Sequence, residues 1–139
     1  MSEVDDFNRK NIEEFRANAG VVGGFFEGTP LLLLHHKGRK SGTERVNPLA
    51  YQQVGDSLAI FASKGGAPTN PDWYHNIVAN PDVTLEVGTE TYPAVARVAA
   101  GEERARIWEA QKVAHPNFAE YEAKTEGREI PVVLLTRTG

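Results

Sequence analysis

The feature that most restricts this chain is a succession of short apolar segments joined by tight, glycine-bearing turns. Leu31 to His36 is followed by Gly38–Gly42 and returns as Arg45 to Val54, and Gly55-Asp56 then leads into Leu58 to Ser63. Further on, Val83, Leu85 and Val87 alternate with polar residues, Gly88-Thr89 reverses the chain, and Thr91 to Val98 runs back. Turns this short join antiparallel neighbours, whereas parallel strands need a crossover of a dozen residues or more. With a last strand over Ile130 to Thr136, the pattern predicts about six mostly hairpin-linked strands. That is an α+β fold: a small antiparallel β-barrel with flanking helices over its openings. A doubly wound parallel sheet does not fit, because helices and strands do not alternate strictly.

The helical signals fall between these strands. Asp5 or Asp6 caps a helix running to about Ala19, with Phe7, Ile12, Phe15 and Ala19 on one face. Gly20 and the Gly23–Gly28 segment end it. Asn70 as N-cap and Pro71 at the first helical position start a short helix over Asp72–Ala79, closed by Pro81. Gly101-Glu102-Glu103 opens a helix through about Val113, and a shorter one follows Pro116. At 139 residues the chain suffices for one domain. Residues 1–29 form its N-terminal helix and connecting segment, and residues 30–139 its barrel.

Several chemistries are excluded by what is missing. There are no cysteines, hence no disulfide, thiolate nucleophile or thiolate metal site. No ATP-type phosphate loop, dinucleotide glycine fingerprint, zinc helix or nucleophile elbow occurs. His35 and His36 are adjacent in a strand, so they point to opposite faces and cannot share a metal; no metal site is expected. One should face the interior beside the site and the other solvent. No apolar run is long enough for a membrane helix, and the acidic start is no signal peptide, so the expected location is cytoplasmic.

Charge then singles out one region. Between residues 31 and 64, Lys37, Arg39, Lys40, Arg45 and Lys64 face only Glu44 and Asp56, a net of +3 in a chain whose total is −4. Arg39, Lys40 and Arg45 are suited to a phosphate or carboxylate, Ser41 adds a hydroxyl, and Gly42, Gly65 and Gly66 let backbone N–H groups approach an anion. A solvated turn would use the same residue types, but two basic turns at the ends of neighbouring strands converge more readily on a ligand.

These residues carry a resemblance. Gly38-Arg39-Lys40-Ser41-Gly42, Arg45-Val46-Asn47-Pro48-Leu49, Ala62-Ser63-Lys64-Gly65-Gly66 and Asn70-Pro71-Asp72-Trp73-Tyr74-His75-Asn76 resemble the deazaflavin-dependent nitroreductase family of actinobacteria. Ala79-Asn80-Pro81 and Ile130-Pro131-Val132-Val133 extend the likeness over roughly residues 30 to 137. It implies a split β-barrel and the reduced deazaflavin coenzyme F-420, whose tail carries a phosphodiester and several glutamates. By the same resemblance, Arg39, Lys40 and Ser41 meet that tail, and Arg45 and Lys64 anchor it. Val46, Asn47, Pro48 and Leu49 line the deazaflavin slot with Phe61, Ala62 and Ser63, and Trp73 and Asn76 contact the coenzyme from the short helix.

The implied reaction is hydride transfer to a planar conjugated acceptor such as a quinone, enone, lactone or nitroaromatic. Tyr121, Tyr51, His115 or water would supply the proton. The chain departs from the nitroreductase pattern at Ala50, His115 and Phe118, where tyrosines would be expected; Tyr121 matches. Cofactor binding is thus better supported than nitro reduction. Two rivals are an FMN-binding split-barrel flavoprotein and a non-enzymatic barrel for an anionic ligand. Nucleic acid is disfavoured, since only Phe61 and Tyr51 are aromatic in the basic region. The N-terminal helix is expected to pack on the barrel, its acidic residues being repelled by anionic lipid; closure over substrate and peripheral membrane contact are the alternatives. A small hydrophobic acceptor is the expected partner, and a monomer or weak dimer the expected assembly.

Overall fold

A computed structural model of the chain describes residues 3–18, 20, 30–63, 69–125, 127 and 129–138, with side chains from residue 9 onward. In chain order it contains α1 (Glu3–Ala17), β1 (Leu31–Lys37), β2 (Glu44–Val54), β3 (Ser57–Phe61), α2 (Asp72–Ala79), β4 (Asp82–Val87), β5 (Glu90–Val98), α3 (Gly101–Ala114), α4 (Asn117–Lys124) and β6 (Val132–Arg137). The strands close a barrel in the order β1-β2-β3-β6-β5-β4, and every pairing is antiparallel. Gly55 and Gly88 take φ of 58° and 59° in the two tight hairpins, the left-handed backbone that such turns require.

The alternation of side chains divides each strand between two cores. Leu32, Leu34, Leu58, Ile60, Leu85 and Leu135 point into the barrel, where Trp73 and Ile77 of α2 join them. On the outer face, Leu31 and Leu33 pack with Phe15 of α1. Ala59, Phe61, Val132 and Leu134 pack under Ile107, Trp108 and Phe118 of α3 and α4. This explains the unbroken Leu31–Leu34 run: a strand covered on both faces reads as continuously apolar instead of alternating.

The expectation that helices cover the barrel's openings holds for α2 alone. The other three clad the outer wall, because the outward residues of β1, β2, β3 and β6 are themselves apolar and must be covered. The start of α2 also differs from expectation. Pro71 is extended (φ −69°, ψ 155°) and is itself the N-cap, without a side-chain capping bond, so the helix begins at Asp72. Phe7's side chain, Ala19 and the Gly23–Gly28 segment lie outside the described residues.

Candidate functional site

β2 and β3 close the barrel over only part of their length and separate beyond it. β2 pairs with β1 from Glu44 to Ala50 but with β3 only from Tyr51 to Val54. Past Ile60, β3 follows β6 instead: Phe61 pairs with Val132, and the Ala62 N–H donates to the Pro131 carbonyl at 3.0 Å. Residues 44–50 therefore have one strand neighbour and a second edge with no strand on it among the described residues. Pro48 falls in this stretch, where its missing N–H interrupts no central ladder. The slot so formed has Val46, Asn47, Pro48 and Leu49 on one side and Phe61, Ala62 and Ser63 leaving on the other.

At the mouth of this slot stands the β1–β2 turn, a built element. Gly38 N–H donates to the Thr43 carbonyl (2.9 Å), Gly42 N–H to the Gly38 carbonyl (2.8 Å), and Thr43 N–H to Ser41 Oγ (3.2 Å). Gly42 has φ of 71°, and a Cβ on buried Gly38 would meet Ser41 Oγ at 2.7 Å. Ser41 Oγ thus accepts one bond within the turn. Arg39, Lys40 and Arg45 are all exposed, and none is paired with a carboxylate among the described residues. Arg16, Arg97, Arg104, Lys112 and Arg137 are each in an ion pair; what sets the turn apart from other exposed cations such as Lys10, Lys37, Arg106 and Lys124 is that three stand together within eight residues.

A buried polar relay fixes this turn to the barrel. Arg39 N–H donates to Asn76 Oδ1 at 3.0 Å. That backbone donor is unambiguous, so Asn76 presents Nδ2 to His36 Nδ1, 3.1 Å away. His36 Nδ1 is then the acceptor, its proton sits on Nε2, and Nε2–H donates to Asn47 Oδ1 at 2.7 Å. Burial holds the His36 imidazole below the usual histidine range; the Asn47 bond opposes this shift, while Arg45 and His35 reinforce it. His36 and Asn76 are 3% and 4% exposed. His35 faces the other way, between Glu44 and Glu86. The two histidines divide between the faces as expected, but the outward one, His35, is half-buried between carboxylates instead of facing solvent.

The remaining sequence-derived residues are scattered more widely. Trp73 is buried in the barrel core. Tyr51 is half-buried on the inner side of β2, at the root of the slot. Tyr121 sits on α4 with its ring 5.3 Å from Phe118, which in turn lies 5.7 Å from Phe61; its hydroxyl accepts from Asn117 Nδ2 at 3.1 Å. His115 follows α3, its ring 6.3 Å from Phe118. The three proton-donor candidates thus separate into Tyr51 inside and Tyr121 with His115 outside. Lys64, Gly65 and Gly66 lie outside the described residues. A cavity of about 220 Å³ lined by Ile77, Val78, Pro81, Ala96, Arg97, Val98 and Val133 involves none of these groups.

Sequence reasoning missed what His36 does. Its signal was present, since His36, Asn47 and Asn76 are polar residues at otherwise inward-facing positions. The donor set fits an elongated polyanion beside a flat ring: unpaired cations at the mouth of a slot one strand deep, with a tight glycine turn between them.

Comparison with known proteins agrees. The profile of the F420H(2)-dependent quinone reductase family matches residues 7–137. A curated F420H(2)-dependent quinone reductase of Mycobacterium tuberculosis is 39% identical over 127 residues, covering 88% of this chain and 85% of that protein. A solved F420-H2 dependent reductase, FDR-A, superposes with a TM-score of 0.69 at 41% identity, over 76% of this chain and 93% of its own. A second solved structure, described as a domain-swapped dimer, superposes with a TM-score of 0.71 at 37% identity, over 96% and 99%. With the barrel, the slot and a match over nearly its whole length, the chain belongs to the F420H(2)-dependent quinone reductase family.

Proposed function

We propose that the chain is an oxidoreductase transferring a hydride from reduced coenzyme F-420 to a quinone or a similar planar conjugated acceptor. The observation that carries this is the unpaired Arg39–Lys40–Arg45 cluster at the mouth of the open β2 edge. When bound, the coenzyme supplies two electrons and a proton as hydride. Everything else falls to the protein.

Arg39, Lys40 and Arg45 hold the anionic tail, joined by Ser41 through its hydroxyl hydrogen and by Lys64 from the second basic turn. The edge of Val46, Asn47, Pro48 and Leu49, with Phe61, Ala62 and Ser63 opposite, receives the ring. Trp73 supports this wall from the barrel core. Asn76, whose amide is bonded at both ends inside the protein, acts by holding Arg39 in place.

Tyr121 is the favoured proton donor to the reduced acceptor, because its packing runs through Phe118 to Phe61 at the slot. Tyr51 and His115 are the competing donors. Assembly is proposed as a monomer or weak dimer; among the described residues no helix is long and apolar enough to cross a membrane.

The test is a fluorescence titration of the purified protein with oxidised F-420 and with FMN at two salt concentrations, followed by turnover of a naphthoquinone. Saturable, salt-sensitive F-420 binding and quinone turnover are expected, with Tyr121→Phe lowering kcat by at least about tenfold and Tyr51→Phe much less. Binding of FMN alone, or turnover without F-420, would overturn the reading.

A further inference from the structure

We infer that His36 is a positioning residue that makes coenzyme binding pH-dependent, acting through Asn76 on the Arg39 backbone. This rests on the functional reading above for its consequence, but the relay itself does not depend on it.

In the neutral relay every bond has one donor and one acceptor: Arg39 N–H to Asn76 Oδ1, Asn76 Nδ2 to His36 Nδ1, and His36 Nε2–H to Asn47 Oδ1. There is no slack, because Asn76 has a fixed backbone donor on one side and an imidazole nitrogen on the other. Protonating His36 puts a hydrogen on Nδ1, which then faces the Asn76 amide nitrogen, donor against donor. Turning the Asn76 amide over satisfies Nδ1–H but brings Nδ2 against the Arg39 N–H. Either way one bond must break, and Asn76 is too deeply buried for water to replace it freely. The bond at the exposed end, to Arg39, gives most readily.

Protonation is thereby passed from a buried imidazole on β1 to the backbone of the turn that displays Arg39 and Lys40. At its other end the relay holds Asn47, on the slot edge. The groups acting on His36 are Arg45 from β2 and His35 from its own strand, both disfavouring the added charge; α2 contributes the neutral amide of Asn76. His36 is consequently neutral near pH 7, and the relay is intact there.

Two measurements test this. On the protein without coenzyme, NMR reports the His36 tautomer from its ring nitrogens and the exchange protection of the Arg39 amide, corrected for intrinsic rate, from pH 8 down to the lowest pH at which the protein stays folded. The expected result is the Nε2–H tautomer at high pH and loss of Arg39 protection with the same midpoint as His36 protonation. A Nδ1–H tautomer, or Arg39 protection that ignores His36 titration, would overturn the inference. The second measurement is F-420 affinity over the same range. Wild type should weaken by about fivefold or more on acidification through that midpoint, the scale of one hydrogen bond. His36→Gln should bind with a flat profile, and Asn76→Ala should be weak at every pH. A His36→Gln profile that keeps the wild-type pH dependence would overturn the coupling. Should this variant fail to fold, His36→Asn replaces it, and the NMR arm still decides the relay on wild type. Failure of the wild-type protein to bind F-420 would overturn the functional reading alone.

Discussion

His35 and His36 are neighbours on β1 and face opposite sides of it, and their surroundings have little in common. His35 lies on the outer wall between carboxylates: Nε2 is 2.6 Å from Glu86 and Nδ1 is 3.2 Å from Glu44. Glu86 also takes two bonds from the Arg16 guanidinium, 2.8 and 3.1 Å, so the cluster ties α1 to β1, β2 and β4. His36 lies inside, among neutral amides. On the outer wall charges are matched to one another and hold elements together. At the turn beyond His36 the cations are left unmatched, and neutral groups do the holding. A folded chain gains little from unpaired surface cations, which contribute to stability within about ±0.5 kcal/mol. Their arrangement makes sense when the matching anion arrives from outside.

The sharpest way to break this comparison is to remove the unmatched set. Arg39→Ala, Lys40→Ala and Arg45→Ala together should weaken F-420 binding by at least about a hundredfold at low salt, since each lost charge-assisted bond contributes about 1.5–3 kcal/mol before screening. The salt dependence of binding should flatten with it. The melting temperature should move by no more than about 2 °C, because no folded-state partner is lost. Arg16→Ala on the outer wall should do the reverse, lowering the melting temperature while leaving F-420 affinity unchanged. Titration and thermal melting of both variants check this. A triple variant that melts early would mean the cations are structural after all.

How much of this was legible in the sequence differs between the two regions. The turn was readable because its information is local: Gly38, Gly42 and three cations sit within eight residues, and a glycine turn between apolar runs has few conformations. The barrel was readable for the same reason, with Gly55-Asp56 and Gly88-Thr89 specifying hairpins. What local pattern cannot carry is pairing across the chain. Nothing in the neighbourhood of Glu86 points to Arg16, seventy residues away, or to a helix lying over that strand. Likewise the closeness of Asn76 to Arg39 in space, on which the relay depends, is invisible in the sequence. The packing of α1 on the barrel was expected and is found, but the covering of the outer wall by α3 and α4 was missed because an apolar outward residue and an apolar inward one are written with the same letters.

A smaller effect separates the turn's shape from its charge. Gly42 has φ of 71°, and a Cβ added there would meet nothing within 4 Å, so Gly42→Ala adds no clash and costs only the left-handed backbone, about 1–2 kcal/mol. The substitution leaves all three cations in place. Stability to denaturant should fall by that amount, and F-420 affinity should drop several-fold as Arg39 and Lys40 lose their common orientation. Unchanged affinity would show that the cations act as a diffuse cloud, and that the Gly38–Thr43 bonds do not matter for binding.

The smallest expected effect tests the matched side alone. Arg16 above all, with His35 adding to it, holds the Glu86 carboxyl below its ordinary value of 4.5 against the opposing cost of burial. A carboxyl depressed on folding contributes stability that is fully present above its unfolded value. That stability is lost as pH falls through the folded value. The tie between α1 and the barrel should therefore be intact from neutral pH down to about 4.5 and weaken below it. Glu86→Gln keeps an acceptor for Arg16 but removes the charge, so it should cost about 1 kcal/mol at pH 7 and progressively less as pH falls below 4.5 and the wild-type carboxyl takes up its proton. Urea unfolding of both proteins at pH 7, 5 and 3 measures the difference directly. Convergence of the two curves at low pH places the outer-wall contribution in the Glu86 charge. A constant gap would place it in side-chain packing, and the two histidines would then differ in burial more than in how their surroundings use charge.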